Sequence, residues 1–170
     1  MLKKNIALIG FMGSGKSLVS NKLAVLLKRE VISTDDWVER REGRSIDRIF
    51  EKSGEPYFRE QEARAVKEAA GRESVIIDCG GGVVLNPQNI KELRKKGVIV
   101  FLAASPETVY QRVKDKKDRP LLKTADPQAR IRQLMDQRNP FYAQADHTVM
   151  TDKKTVGQIC EEIIRLLADE

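Results

Sequence analysis

Residues 10–17 read Gly-Phe-Met-Gly-Ser-Gly-Lys-Ser, and no other stretch limits the possible fold so tightly. They fit G-x-x-x-x-G-K-S/T, a loop whose backbone N–H groups cradle phosphates while its lysine reaches the outer ones and its hydroxyl ligates Mg²⁺. Glycines in such a loop allow a positive φ and a close approach to the anion that a Cβ would forbid. The helix expected from about Ser17 directs its unpaired N–H groups and positive dipole end at the same anion. The flanks supply the required context: Asn5 to Ile9 is an apolar strand, and Leu18 to Lys28 repeats apolar residues at helical spacing. The stretch is read as a nucleotide-phosphate site made by Gly13, Ser14, Gly15, Lys16, Ser17 and Leu18, with Lys16 also acting in catalysis.

A chain of 170 residues suits one α/β domain with a proper core. Hydrophobic residues at 41% and charged residues at 33% fit an ordinary soluble domain. No apolar run approaches a membrane span, and the residues before the first strand lack the apolar core of a signal peptide. Cys79 and Cys160 suggest neither a disulfide framework nor a zinc cluster, so a reducing cytoplasm is the expected setting. The net charge of +6 admits a nucleic acid, a membrane surface or a small anion as partner. Between Arg112 and Lys123 six basic residues face two acidic ones, so four of the six net charges sit there. No aromatic residue interleaves with them, as a base-stacking platform would need. The excess is read as a phosphate-facing loop, with no nucleic acid and no membrane as partner.

Strand and helix patterns alternate along the rest of the chain. Val31 to Ser33 is a second short strand, followed by Thr34-Asp35-Asp36 and a polar helical stretch ending near Gly43. Ser45 caps a helical turn, and a further helix runs from Gly54-Glu55-Pro56 to about Ala70, stopping at Gly71. Val75 to Ile77 is an apolar inner strand leading into Asp78-Cys79 and the triplet Gly80, Gly81, Gly82. Three later helices open with a capping residue and a proline, at Asn86-Pro87, Ser105-Pro106 and Asp126-Pro127. Strands are expected at 98–102 and 147–150, with the third of these helices ending before Asn139-Pro140 and an amphipathic helix from Lys154 to Leu167. The pattern predicts a three-layer α/β/α domain with a five-stranded parallel sheet. Ligands then lie outside the carboxyl ends of the strands, where the phosphate loop, Asp35 and Asp78 with the triple glycine converge.

That crevice carries the parts of a kinase. Asp35 can accept a hydroxyl proton or hold the hydroxyl in line. Arg59 and Arg138 are planar forks suited to a carboxylate. Asp78 stands where a carboxylate holds Mg²⁺, and the basic stretch 112–123 can close as a lid with Arg119 over the phosphates. No Asn-Lys-x-Asp guanine reader is present, since Asn21-Lys22-Leu23-Ala24 lacks the aspartate. Simpler roles stand beside these: Asp35 as a helix cap, Arg59 in an ion pair with Glu62 or Glu55, and Arg138 as a helix C-terminal cation.

Taken together the motifs resemble the shikimate kinase family of P-loop phosphotransferases. The resemblance rests on residues 10–17, the acidic stretch 33–36, Phe58-Arg59 with Glu62, Gly80-Gly81-Gly82, Arg119-Pro120-Leu121-Leu122, and Arg138 before Asn139-Pro140-Phe141-Tyr142. It implies transfer of the γ-phosphoryl of ATP to the 3-hydroxyl of shikimate, in the chorismate route to aromatic amino acids. By position it implies Lys16, Asp35 and Arg119 as catalytic residues, Arg112 near the adenine, and Asp35, Arg59, Gly80, Gly81, Gly82 and Arg138 at shikimate. It also implies Mg²⁺ as cofactor, a substrate-binding helical insertion at about 34–70, a lid at 112–123, and a core formed by about 1–33, 72–111 and 124–170, in a cytoplasmic monomer. One position departs from the pattern: the family's first aspartate after strand two is Ser33 here, while strand three ends in Asp78. The expectation is that the metal-side carboxylate has moved, leaving Ser17 and Asp78 as the metal residues. A kinase for another hydroxy acid such as gluconate, or a nucleotide-binding module without turnover, are the competing readings.

Overall fold

A computed structural model describes residues 3–116 and 123–168. The order is β1 (Asn5–Ile9), α1 (Lys16–Leu27), β2 (Val31–Ser33), α2 (Thr34–Glu42), α3 (Ile46–Gly71), β3 (Ile76–Asp78), a 3₁₀ turn (Val83–Leu85), α4 (Pro87–Lys96), β4 (Gly97–Ala103), α5 (Pro106–Val113), α6 (Pro127–Tyr142), β5 (His147–Met150) and α7 (Val156–Ala168). All five strands are parallel, in the order β2-β3-β1-β4-β5, as the alternation of strand and helix predicts. The order reverses direction at β1, and a crevice opens at that switch point.

Both faces of the sheet are covered, which is why β1 is buried along its whole length. Its alternate residues serve two cores, as strand geometry requires. Ile6 and Leu8 join Val19 and Leu23 of α1 and Ile159 and Ile163 of α7. Ala7 and Ile9 join residues of α3, α4, α5 and α6, including Val66, Leu93, Val109 and Ile131. A third, smaller cluster of Val38, Ile49, Phe58 and Ala65 ties α2 to α3.

Some boundaries differ from the sequence reading, and α2 begins at Thr34 rather than after Asp36. The two helices expected on either side of Gly54 are present and together make up α3, meeting at a sharp bend where Gly54 leaves the helical conformation (φ 83°, ψ 166°). This left-handed value is open to glycine at little cost and expensive for other residues. The third proline-capped helix does not stop before Pro140 but carries it inside α6 and ends at Tyr142. The extra turn is held by burial of Tyr142, which is 1% exposed. The last helix begins at Val156, two residues beyond Lys154.

Candidate active site

The phosphate loop behaves as its sequence dictates. Gly13 (φ 73°) and Gly15 (φ 91°) take left-handed conformations, and a Cβ on Gly13 would stand 2.7 Å from Val113 Cγ1 of α5. The N–H of Ser14 donates to the Phe11 carbonyl at 3.1 Å and closes the turn, with the hydroxyl buried beneath it. Lys16 Nζ arches back over the loop and donates to the carbonyls of Gly10 (2.8 Å) and Phe11 (3.2 Å). Ser17 Oγ donates to Asp78 Oδ2 at 2.6 Å. Leu18 lies at the rim, 66% exposed. These residues line a cleft of about 680 Å³ that continues past Asp35, Arg59, Glu62 and the triple glycine to Arg138.

The triple glycine is the meeting point. A Cβ on Gly80 would stand 2.5 Å from Asp35 Oδ1 and 3.3 Å from Glu62 Oε2. On Gly81 it would stand 3.4 Å from Arg138 Nη1 and 3.8 Å from the Gly10 carbonyl, and on Gly82 it would overlap the Arg59 guanidinium. Gly80 and Gly82 have no room for a Cβ because the Asp35 carboxylate and the Arg59 guanidinium lie against them. Sheet register explains the assembly, because Leu8, Asp78 and Ser33 lie side by side across β1, β3 and β2. The segments that follow these three ends are the phosphate loop, the triple glycine and Asp35.

Charge in the cleft is crowded and poorly hydrated. Burial raises the pKa of Asp35, with Lys16 opposing and Asp78 adding to the rise. Burial likewise raises Asp78, opposed by the Ser17 hydrogen bond and by Lys16. Glu62 is 2% exposed and is pushed up to about 7 by burial, although Arg59 Nη1 donates to it at 2.9 Å. The cost of desolvating that carboxylate exceeds what its guanidinium partner returns. Arg59 also reaches Glu55 at 3.2 Å, so its pairing within α3 and its place at Gly82 hold together rather than exclude each other.

Ser33 settles the helix-cap alternative for Asp35. It is Ser33 that caps α2, its Oγ accepting from Asp36 N at 3.2 Å, so Asp35 is left facing Gly80. The serine with an acidic residue three positions on resembles a capping box and is the signal that identifies the cap. Arg138 lies within α6 rather than at its end, with its guanidinium 5.9 Å from the Phe11 ring centroid. Arg112 donates to the Gly13 carbonyl (3.1 Å) and Thr151 Oγ1 (3.2 Å), joining the phosphate loop to the segment after β5. Arg119, with Pro120, Leu121 and Leu122, lies outside the described residues. Cys79 is 1% exposed, and burial drives its thiol pKa strongly upward, away from reactivity.

Sequence reasoning did not find Ile46 and Phe50, which with Phe58 give the cleft an apolar part of its lining. An apolar stripe on a helix looks the same whether it faces a core or a ligand. The oxygen donors Ser17 and Asp78, joined by a hydrogen bond beside a helix N-terminus, fit the hard-oxygen preference of Mg²⁺.

The family model for shikimate kinase matches residues 12–168. A curated relative named shikimate kinase, from Caldanaerobacter subterraneus subsp. tengcongensis, is 49% identical over 162 residues, spanning 95% of this chain and 95% of its own. Among solved structures, a shikimate kinase from Acinetobacter baumannii in complex with shikimate superposes with a TM-score of 0.92 at 34% identity, covering 98% of this chain and 94% of that one. The shikimate kinase from Aquifex aeolicus gives a TM-score of 0.84 at 38% identity, covering 97% and 96%. Likeness of this extent, in sequence and in backbone, shows that the chain belongs to the shikimate kinase family.

Proposed function

We infer that this protein is an ATP-dependent small-molecule kinase that phosphorylates the 3-hydroxyl of shikimate, giving shikimate 3-phosphate for the chorismate route. The observation that carries the reading is the triple-glycine turn, against which Asp35, Arg59 and Arg138 lie within reach of the phosphate loop. An acceptor with a carboxylate at one end and an alcohol at the other fits that arrangement. Arg59 and Arg138 grip the carboxylate. Asp35 orients the 3-hydroxyl toward the γ-phosphorus and takes its proton, and a raised pKa makes it a better base than an ordinary aspartate. Phosphoryl transfer needs positioning and charge stabilisation more than covalent help. The loop N–H groups and Lys16 hold the phosphates, with Gly13, Ser14, Gly15, Ser17 and Leu18 shaping their bed. Arg112 borders the adenine end, and the family resemblance assigns Arg119, which lies outside the described residues, to the phosphates.

Ser17 and Asp78 would hold Mg²⁺, which when bound neutralises charge on the β- and γ-phosphate oxygens. Ser33 and Asp78 are register partners on adjacent strands, so a carboxylate moved from one to the other stays on the same side of the phosphate loop. No helix among the described residues is long and apolar enough to cross a membrane, and a cytoplasmic monomer without nucleic-acid partners fits this activity. A coupled assay of ADP release tests the reading: turnover is expected with shikimate, and not with gluconate or without an acceptor. Equal release without an acceptor would leave only a nucleotide hydrolase.

A further inference from the structure

Three consecutive glycines are the least ordered tripeptide a chain can offer, yet the acceptor-side groups all pack on Gly80–Gly82. Two buried side chains anchor this turn from different elements. Thr34, 0% exposed at the start of α2, accepts the Gly80 N–H on Oγ1 at 2.9 Å. Tyr142, at the end of α6, donates from its hydroxyl to the Gly81 carbonyl at 2.8 Å and stacks on Phe101 with ring centroids 4.9 Å apart. Burial raises the Tyr142 pKa against the pull of Arg138, so the phenol keeps the proton it donates. Thr34 directly precedes Asp35, and Tyr142 lies one helical turn beyond Arg138. Each anchor therefore belongs to the element that carries an acceptor-side residue.

We propose that Thr34 and Tyr142 are positioning residues that hold the triple-glycine turn in register with Asp35 and Arg138, and so fix the span between the hydroxyl and carboxylate ends of the acceptor site. The role assigned to that span rests on the function inferred above, whereas the anchoring itself is a property of the ligand-free chain. The Gly80 amide has its bond to a side chain, not to a sheet neighbour, so removing the Thr34 hydroxyl leaves it without a partner. Thr34→Val keeps shape and removes the acceptor; Thr34→Ser keeps the hydroxyl; Tyr142→Phe keeps the stacked ring.

Two measurements on the full chain test this. By NMR without substrate, the Gly80 amide should exchange about tenfold faster in Thr34→Val and near the unsubstituted rate in Thr34→Ser, while Tyr142→Phe moves the Gly81 carbonyl carbon upfield. Unchanged exchange at Gly80 together with an unmoved Gly81 carbonyl overturns the proposal. In steady-state assays Thr34→Val and Tyr142→Phe should each raise the KM for shikimate and lower kcat by about tenfold, leaving the KM for ATP within about twofold, with Thr34→Ser close to the unsubstituted enzyme. A general loss of activity that follows thermal stability and spares no kinetic constant also overturns it. If the unsubstituted chain does not turn over shikimate while the exchange contrast is present, the acceptor assignment fails and the anchoring stands.

Discussion

Whereas the phosphate side of the cleft comes from one run of chain, Gly10 to Ser17 with Asp78 added, the acceptor side draws on four elements. Asp35 comes from α2, Arg59 from α3, the triple glycine from the turn after β3, and Arg138 from α6. The phosphate side is mostly backbone: left-handed glycines, a helix N-terminus and a lysine arched over its own loop. The acceptor side is mostly long side chains packed against a turn with no side chains of its own. In the proposed function the backbone cradle would recognise what all nucleotides share, and side chains from distant elements what one acceptor has. Substitutions on the two sides should therefore separate in their kinetics.

The largest effect should come from Asp35→Asn, which keeps shape and removes the proposed base. A fall in kcat of about 10²–10⁴-fold with little change in the KM for ATP is expected, and single-turnover assays measure it directly. A loss confined to ATP binding would erase the division between the two sides. Next in size is Asp78→Asn, expected to raise the Mg²⁺ concentration for half-maximal activity about tenfold. The double change Ser33→Asp with Asp78→Ser should recover much of that loss, because the two positions are cross-strand partners. An unaltered metal titration in Asp78→Asn would refute the relocated carboxylate.

Gly82→Ala is the cleanest probe of the acceptor side. The new methyl would displace the Arg59 guanidinium, a flexible end that can move without disturbing the core. The KM for shikimate should rise about tenfold or more through loss of one charged hydrogen-bonding partner. Thermal stability should fall as well, by about 2–4 °C for each kcal/mol lost, because the displaced guanidinium leaves the buried Glu62 carboxylate without that partner. A normal KM would mean that Arg59 does not bind the acceptor.

The smallest effect concerns pH. Glu62 has its pKa raised from 4.5 to about 7 in the folded chain. Its folded form therefore binds more protons than the unfolded one across that window, and stability attributable to this group is complete below about 4.5 and declines as pH rises through about 7. Denaturation followed from pH 5 to pH 8 should show this decline, flattened in Glu62→Gln. A steeper decline in the variant would reverse the sign and discount burial as the dominant cause.

Much of this was legible in the residues, for reasons that differ by region. The phosphate loop is contiguous, so its geometry follows from eight letters, and the parallel sheet follows from the alternation of strand and helix. Asp35, Arg59 and Arg138 could be named as candidates, but nothing local states that they share one turn; that depends on strand order and register. Ser33 as the α2 cap was visible in the Ser-Thr-Asp-Asp pattern, yet the same four letters also fit a cap at Asp35. Thr34 and Tyr142 gave no signal, because a buried hydroxyl acts only through a partner distant in sequence. The continuation of α6 through Pro140 was likewise hidden, since it depends on a buried site for Tyr142.

The bend at Gly54 has a consequence for how new substrates could be acquired. Residues 50 and 58 of an unbroken helix would be separated by about 12 Å along its axis, yet the Phe50 and Phe58 rings are 4.9 Å apart. That single crank brings both limbs of the longest element to the cleft, Ile46 and Phe50 from one and Phe58, Arg59 and Glu62 from the other. A small change in the crank angle would resize the chamber for a different guest and leave the nucleotide machinery as it is.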